Sequence, residues 1–450
     1  MVRSALADET LLPYLHNLAN PDSCTVGLIL GQTTPSKDFV IHFAKTPPSQ
    51  TVEKNKKSDE SISTITKIED VSEYSVADHA KHATRMLPGG MYVLGIFVVS
   101  SEDLLSPFNA KIRIILSQIH KQLSASPYLF GNHESPDKLV LNYCVPTKLF
   151  TCKSYNVITS SVKPAEFKFQ PKAMKWNQLE CKYDLDQTFP IFQGRYDWTL
   201  KKHLQAVLET INNQFTPAVF VYDNEIRNSD ETLESLGKKK KSKNMNKDKN
   251  DSKAIQVSIF LPCDNKELKE DFEITGCGGF IRIMGQVSSK LWLYPRMTVQ
   301  EASQAVVEDI VRSLASRLEM HWDSLVDEES GSSDDTNSLH EPPRRVLITL
   351  PANKVMLSDY LFPGEGPLEA LTSLQELLDI NIKDKKSIVD VEGQADLAEI
   401  YPPQEIVSVD SEESLPIKLN VDSNRQMYIL GFLFALFVLI LSLLVHVLKG

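Results

Sequence analysis

Apolar positions in the N-terminal part of the chain fall by turns into helical stripes and short extended runs. Leu11, Leu12, Leu15 and Leu18 recur at helical spacing and stop at Pro21-Asp22, which predicts a short first helix. Thr25 to Leu30 and Phe39 to Phe43 flank the polar stretch Gln32 to Asp38, the pattern of a hairpin with a slightly long loop. Val76 to Leu87 reads as a helix stopped by Pro88-Gly89-Gly90. Met91 to Val99 is apolar at nearly every position, which predicts a central strand buried on both faces. Behind it Leu105, Phe108, Ile112, Ile115, Ile119 and Leu123 mark one face of a helix, capped by Ser101 or Asp103, with Pro107 in its first turn.

Further strands are predicted at Leu139–Cys144, Lys148–Cys152 and Leu179–Leu185, then a helix at Leu200–Phe215 ended by Pro217, and a strand at Ala218–Tyr222. The pattern repeats with strands at Ala254–Leu261, Phe280–Val287 and Leu291–Tyr294. A long helix starts at Thr298, which forms a capping box with Glu301. Val299, Ala302, Val306, Ile310, Leu314, Leu318 and Trp322 carry its apolar stripe. A strand at Arg345–Leu350 and a helix at Leu368–Leu378 close the body. This alternation predicts an α+β fold in two lobes, 1–170 and 171–383.

Composition adds a core and a tether to this picture. The chain has 450 residues, 42% of them hydrophobic, enough to bury a real core. Its formal charge is −11, but residues 384–424 hold ten acidic and three basic residues, a net of −7. The imbalance therefore belongs mostly to an acidic, proline-bearing linker, expected to be disordered and extended. The basic run 237–253 and the polar runs 49–63 and 327–341 read as surface insertions. A solvated loop explains the basic run without invoking an anionic-lipid patch, and no nucleic-acid partner is expected.

After the linker, Met427 to Val445 contains no charged residue, and the apolar character continues past His446 to Leu448. Such a run spans about 30 Å of hydrocarbon. Met427, Phe432, Phe434, Phe437, Leu441, Leu444 and Leu448 are the expected anchor side chains of a transmembrane helix over 427–448, with Tyr428 and Lys449 at the interfaces. Only Lys449 and Gly450 follow, which predicts single-pass, tail-anchored topology with the body in the cytosol. Asp8 and Glu9 interrupt the N-terminal apolar run and argue against a secretory signal. Six cysteines without CxxC pairing fit reduced thiols.

Candidate chemistry is sparse. His79 and His82 lie three apart on one predicted helix but lack a third ligand at motif spacing, so they read as exposed helix histidines. No GxxxxGK[ST] loop occurs, and Gly276, Gly278, Gly279 and Gly285 read as a tight turn between strands. Cys144 lies in an apolar strand, where a thiol is inert packing. No catalytic, cofactor-binding or metal-ligating residue is assigned. Pro88, Gly89 and Gly90 are the candidate exposed interface, set against the simpler reading of a helix stop.

The strings RMLPGGMYVLGIF (Arg85–Phe97), VGLILGQ (Val26–Gln32), FVIHFAKTPP (Phe39–Pro48), WNQLEC (Trp176–Cys181) and LPANKVMLSDY (Leu350–Tyr360), followed by the terminal anchor, resemble the odr-four family of tail-anchored proteins. The resemblance implies residence in the endoplasmic reticulum membrane, partnership with the ubiquitin-fold-modifier protease, and a role for multispanning receptor clients in folding or trafficking. The chain would then be a noncatalytic adaptor that recruits and stabilises that protease. The first lobe also resembles MPN domains, whose active members bind zinc through HxH and SxxD. At the comparable place stand Val98, Val99 and Ser100, and Ser100 to Asp103 cannot complete a three-ligand site, which implies a binding version of that fold. Two alternatives stay open: a receptor-trafficking tether independent of the protease, and a membrane-anchored hydrolase using a cysteine.

Overall fold

Seven strands close on one another around a small apolar interior. In the computed structural model they are β1 (Arg3–Asp8), β2 (Thr25–Thr33), β3 (Asp38–Lys45), β4 (Tyr92–Ser100), β5 (Asp137–Cys144), β6 (Leu149–Asn156) and β7 (Val162–Gln170). Their order is β1-β3-β2-β4-β5-β6-β7, and β1 completes the barrel by pairing in parallel with both β3 and β7. The structure describes residues 2–35, 37–48, 65–130, 135–171, 174–238, 254–262, 276–327, 341–351, 353–382 and 387–392.

Side-chain alternation gives the barrel two apolar faces. Leu94, Phe97 and Val99 of β4 join Ile29, Phe43, Leu139 and Leu141 in the interior set, together with Leu11 and Leu15 from the start of the chain around helix α1 (Leu12–Asn17). Val93, Ile96 and Val98 belong instead to the main core, with residues of α2 (Glu73–Met86) and α3 (Ala110–Ser124). Ser72 caps α2 by accepting from the Ser75 N–H, and Asn109 caps α3 by accepting from the Lys111 N–H. The short α4 (Pro127–Phe130) follows α3.

A second sheet is built on two long antiparallel strands, β8 (Asn177–Phe192) and β12 (Cys277–Leu293). Between them in sequence come α5 (Leu200–Gln214), β9 (Val219–Tyr222), β10 (Glu225–Ile226), α6 (Leu233–Lys238) and β11 (Ile255–Phe260). The sheet order is β10-β9-β11-β8-β12, and β11 pairs with β8 only over Leu179 to Cys181. Beyond that point β8 and β12 run on as a two-stranded ribbon. Helix α7 (Val299–Asp327) crosses the core, with Ala302, Val306 and Ile310 fully buried. A third sheet, β14-β13-β15, consists of β13 (Arg344–Thr349), β14 (Met356–Leu361) and β15 (Ile388–Asp390), with α8 (Pro367–Leu378) between β14 and β15. The main core runs through all three sheets, from Cys24 to Ile380, and the described residues belong to one compact unit, Met1–Ala395.

The α+β class holds, and most predicted elements are present within a few residues. The Thr298 box is formed as expected: the Thr298 N–H donates to Glu301 Oε2 at 2.8 Å and the Glu301 N–H to Thr298 Oγ1 at 3.2 Å. Four expectations need correction. The helix behind β4 starts at Ala110, so Leu105 and Phe108 precede it and bridge to each other, while Asp103 accepts from the Leu105 N–H. Phe280–Val287 and Leu291–Tyr294 are not separate strands, because Ser288 to Lys290 pair with Lys182 to Glu180 and β12 passes straight through. Gly278, Gly279 and Gly285 therefore lie inside a strand and not in a turn. Residues 388–392, expected in the linker, belong to the fold: Ile388–Asp390 form β15, and the buried Glu392 follows it.

The expected anchor at 427–448, the basic run from 239, the polar runs at 49–63 and 328–340 and the linker beyond Glu392 lie outside the described residues. Among the described residues no helix is long and apolar enough to cross a membrane.

Candidate functional site

Pro88, Gly89 and Gly90 are buried, which corrects the expectation of an exposed turn. A Cβ on Gly89 would lie 2.2 Å from the Ala305 carbonyl oxygen and 2.7 Å from the Asp309 Cβ, so only glycine allows α7 this close. Gly90 adopts φ +77°, a conformation that favours glycine. The Gly89 N–H donates to Asp309 Oδ1 at 2.8 Å. Arg312, one turn further along α7, donates to the carbonyls of Leu87, Pro88 and Met91 at 3.1, 3.4 and 3.3 Å and pairs with Glu308. Gln32 ties β2 to the same place, donating to the Gly90 carbonyl at 3.2 Å and accepting from the Tyr294 N–H at 2.7 Å.

Asp309 continues the network into the third sheet. Arg345 on β13 binds it with two parallel bonds of 2.7 and 2.9 Å, and each side chain is 1% exposed. Burial alone would push the Asp309 carboxyl upward; Arg345 and the Gly89 N–H outweigh that and hold it below the usual carboxylate range. Arg345 also donates to Ser358 Oγ on β14 and to the Ser288 carbonyl on β12. Glu392 closes the circuit by accepting from the Ser288 N–H at 3.0 Å, the Arg345 N–H at 2.9 Å and Arg317 at 2.6 Å. Barrel, ribbon sheet, α7 and third sheet thus meet at one hydrogen-bonded junction. Its carboxylates are occupied, Asp309 by Arg345 and Gly89 and Glu392 by Ser288, Arg345 and Arg317, so neither stands as a free base.

The remaining candidates are dispersed. His79 is buried, correcting its expected exposure. Its Nε2 lies 2.5 Å from the Leu377 carbonyl, and Nε2 of His42 on β3 lies 2.8 Å from the Leu378 carbonyl. These are last-turn carbonyls of α8, without partners within the helix, so the two imidazoles act as its C-terminal cap. Burial lowers both, His79 to about 4, so they are neutral donors at pH 7. His82 is half-buried and lies 3.5 Å from Asp78. No group of metal-binding side chains occurs among the described residues.

Val98, Val99 and Ser100 occupy consecutive positions of β4, where Ser100 Oγ donates to the Glu102 carbonyl. Burial raises the thiols of Cys24, Cys152 and Cys181 to about 12, so at neutral pH they are protonated. Cys144 is buried as expected, and Cys277 is exposed. The sequence named the turn but missed its partners. The signal was present, since Asp309 and Arg312 interrupt the apolar stripe of α7, but nothing local says that Arg345 lies opposite.

A seven-stranded barrel, a ribbon sheet and a three-stranded sheet joined at a buried polar junction define an α+β scaffold whose most developed polar site is internal. The chain belongs to the ODR4-like family: the family model described as "Odorant response abnormal 4-like" matches residues 27–389. It is 28% identical over 391 residues to the "Protein odr-4 homolog" of Homo sapiens, covering 85% of this chain and 84% of that protein. The Drosophila melanogaster protein of the same name is 24% identical over 485 residues, covering 96% of each. The "Odorant response abnormal protein 4" of Caenorhabditis elegans is 25% identical over 313 residues, covering 68% of this chain and 63% of that protein. Among solved structures, that of UfSP from C. elegans superimposes with a TM-score of 0.43 at 8% identity, covering 84% of this chain and 57% of that one. A likeness of that size carries no functional conclusion.

Proposed function

We propose that this protein is a noncatalytic, membrane-tethered adaptor that supports the folding or trafficking of multispanning receptors. In this reading it recruits and stabilises the ubiquitin-fold-modifier deconjugating protease at the cytosolic face of the endoplasmic reticulum. The observation that carries the reading is membership of the ODR4-like family over residues 27–389, among relatives named for an abnormal odorant response. The uncharged apolar run 427–448 supports the tether, because a segment of that length and composition partitions into a bilayer. Tethering confines a bound partner to the membrane and raises its effective concentration there without any new contact. Burial keeps the thiols of Cys24, Cys152 and Cys181 protonated, so these three are poor nucleophiles at neutral pH.

Affinity capture from solubilised membranes tests the reading, comparing the intact chain with one ending at Asn424. The protease is expected with both, and on the reticulum only with the intact chain. Receptors captured without the protease would favour the protease-independent tether. If neither protease nor receptor associates with either chain, the adaptor reading fails.

A further inference from the structure

The far end of the β8–β12 ribbon carries aromatic and basic side chains that neither the core nor the polar junction uses. Phe280 is 67% exposed, Tyr196 51% and Phe192 39%. The end is a built structure. The Gln193 N–H donates to the Gly276 carbonyl at 2.9 Å, joining the ends of the two strands. The Tyr196 ring lies so close to Gly278 that a Cβ there would sit 2.6 Å from it. Thr199 then caps α5 by accepting from the Lys202 N–H.

Two cations stack on Trp198. The Arg195 guanidinium carbon is 4.8 Å from the indole centre and the Lys202 Nζ is 4.0 Å from it, and neither is paired with a carboxylate among the described residues. From Phe192 to His203 the cations are Arg195, Lys201 and Lys202 and the sole acid is Asp197, in a chain whose formal charge is −11.

We propose that this tip is a membrane-contact site for the headgroup region of an anionic phospholipid bilayer. Trp and Tyr favour that region because their rings are apolar with one polar edge, and Lys and Arg are drawn to its negative potential. The tip lies where both strands end, and Phe192, Tyr196 and Phe280 are exposed there. That exposure suits shallow insertion of Phe192 and Phe280 beneath the phosphates, with Arg195, Lys201 and Lys202 among them. The contact would orient the folded body on the membrane, and it does not depend on the terminal anchor.

The test uses the full chain with vesicles of phosphatidylcholine alone, or of three parts phosphatidylcholine to one part phosphatidylserine, both containing acyl-brominated lipid. The fluorescence difference between the native chain and Trp198→Phe isolates the Trp198 signal, and vesicle flotation reports separately on the tether. Quenching of Trp198 is expected in the phosphatidylserine vesicles and only weakly in the others. Lys201→Glu and Lys202→Glu, at exposed positions, are each expected to weaken docking at least about five-fold, the equivalent of about 1 kcal/mol per basic residue at an anionic surface. Phe280→Ser is expected to reduce quenching without changing flotation of an anchored chain. If the chain floats while Trp198 stays unquenched, the tip proposal is overturned and the tether reading stands. Equal quenching in both vesicle types also overturns it, because charge would then play no part. If Trp198 is quenched only with phosphatidylserine, the tip is a lipid site whether or not the anchor inserts; absence of both flotation and quenching defeats both readings.

Discussion

At the residue scale, the Asp309–Arg345 pair shows how burial turns a common interaction into a critical one. Two charges 1% exposed persist because each is almost fully occupied by the other, by Gly89 and by Ser358. Removing one partner strands the other in a medium that cannot solvate it. Arg345→Met should therefore cost about 3–5 kcal/mol. Adding Asp309→Leu should recover part of that loss, because no uncompensated charge remains. Denaturant unfolding at neutral pH measures both, and a double variant less stable than the single one would contradict this account. Thiol reactivity follows the same logic. Of the five described cysteines, Cys277 should react first with iodoacetamide in the native protein, while Cys24 and Cys181 should react only after denaturation. Peptide mapping of the labelled sites decides it.

At the element scale, the contacts that matter join pieces distant in sequence. Gly89→Ala places a methyl group against the Ala305 carbonyl of α7 and should destabilise by about 1–3 kcal/mol, since backbone, unlike a flexible side chain, cannot step aside. Thermal unfolding of that variant checks it. The C-terminus of α8 gives a pH prediction. His79 has a folded pKa of about 4, below the ordinary value of 6.5, so the unfolded chain binds the extra proton between those values. Its contribution is fully present above pH 6.5 and is lost as pH falls through about 4. Asp359 has the opposite sign: burial raises it from 3.8 to about 6, so the native state binds the extra proton between those values and gains on acidification. Asp359→Asn removes that opposing effect. The melting temperature of this variant should consequently fall more steeply than that of the native chain between pH 6.5 and pH 4.5.

At the scale of the whole molecule, residues Ile388 to Glu392 complete a fold whose other parts begin nearly four hundred residues earlier. A chain ending at Lys386 loses β15 and leaves the Ser288 and Arg345 N–H groups without their carboxylate, at about 1–3 kcal/mol for each buried orphan. A chain ending at Ala395 keeps these contacts and should melt with the intact protein, so thermal unfolding of the two truncations locates the C-terminal limit of the fold. Much of this architecture was legible in the sequence wherever periodicity is strong. The stripe from Val299 to Leu318, the apolar run Met91 to Val99 and the Thr298–Glu301 box each express a local rule, helical or extended, that needs no distant partner. β1, β7 and β14 were not legible: RSALAD has Leu6 as its one large apolar side chain, VKPAEFKFQ contains a proline, and MLSDYL carries Ser and Asp where an alternating strand would show apolar residues. Ser288-Ser289-Lys290 looked like a break for the same reason, although pairing with β8 and the reach of Glu392 satisfy it. The sequence by itself determined the α+β class, the helical stripes and the apolar terminal run, because these depend on side chains a few residues apart. Only the tertiary structure decided that the Pro88–Gly90 turn is internal, that two neutral histidines cap α8 and that the ribbon ends in an exposed aromatic tip, because burial and hydrogen-bond partners are set by chain segments the local pattern cannot see.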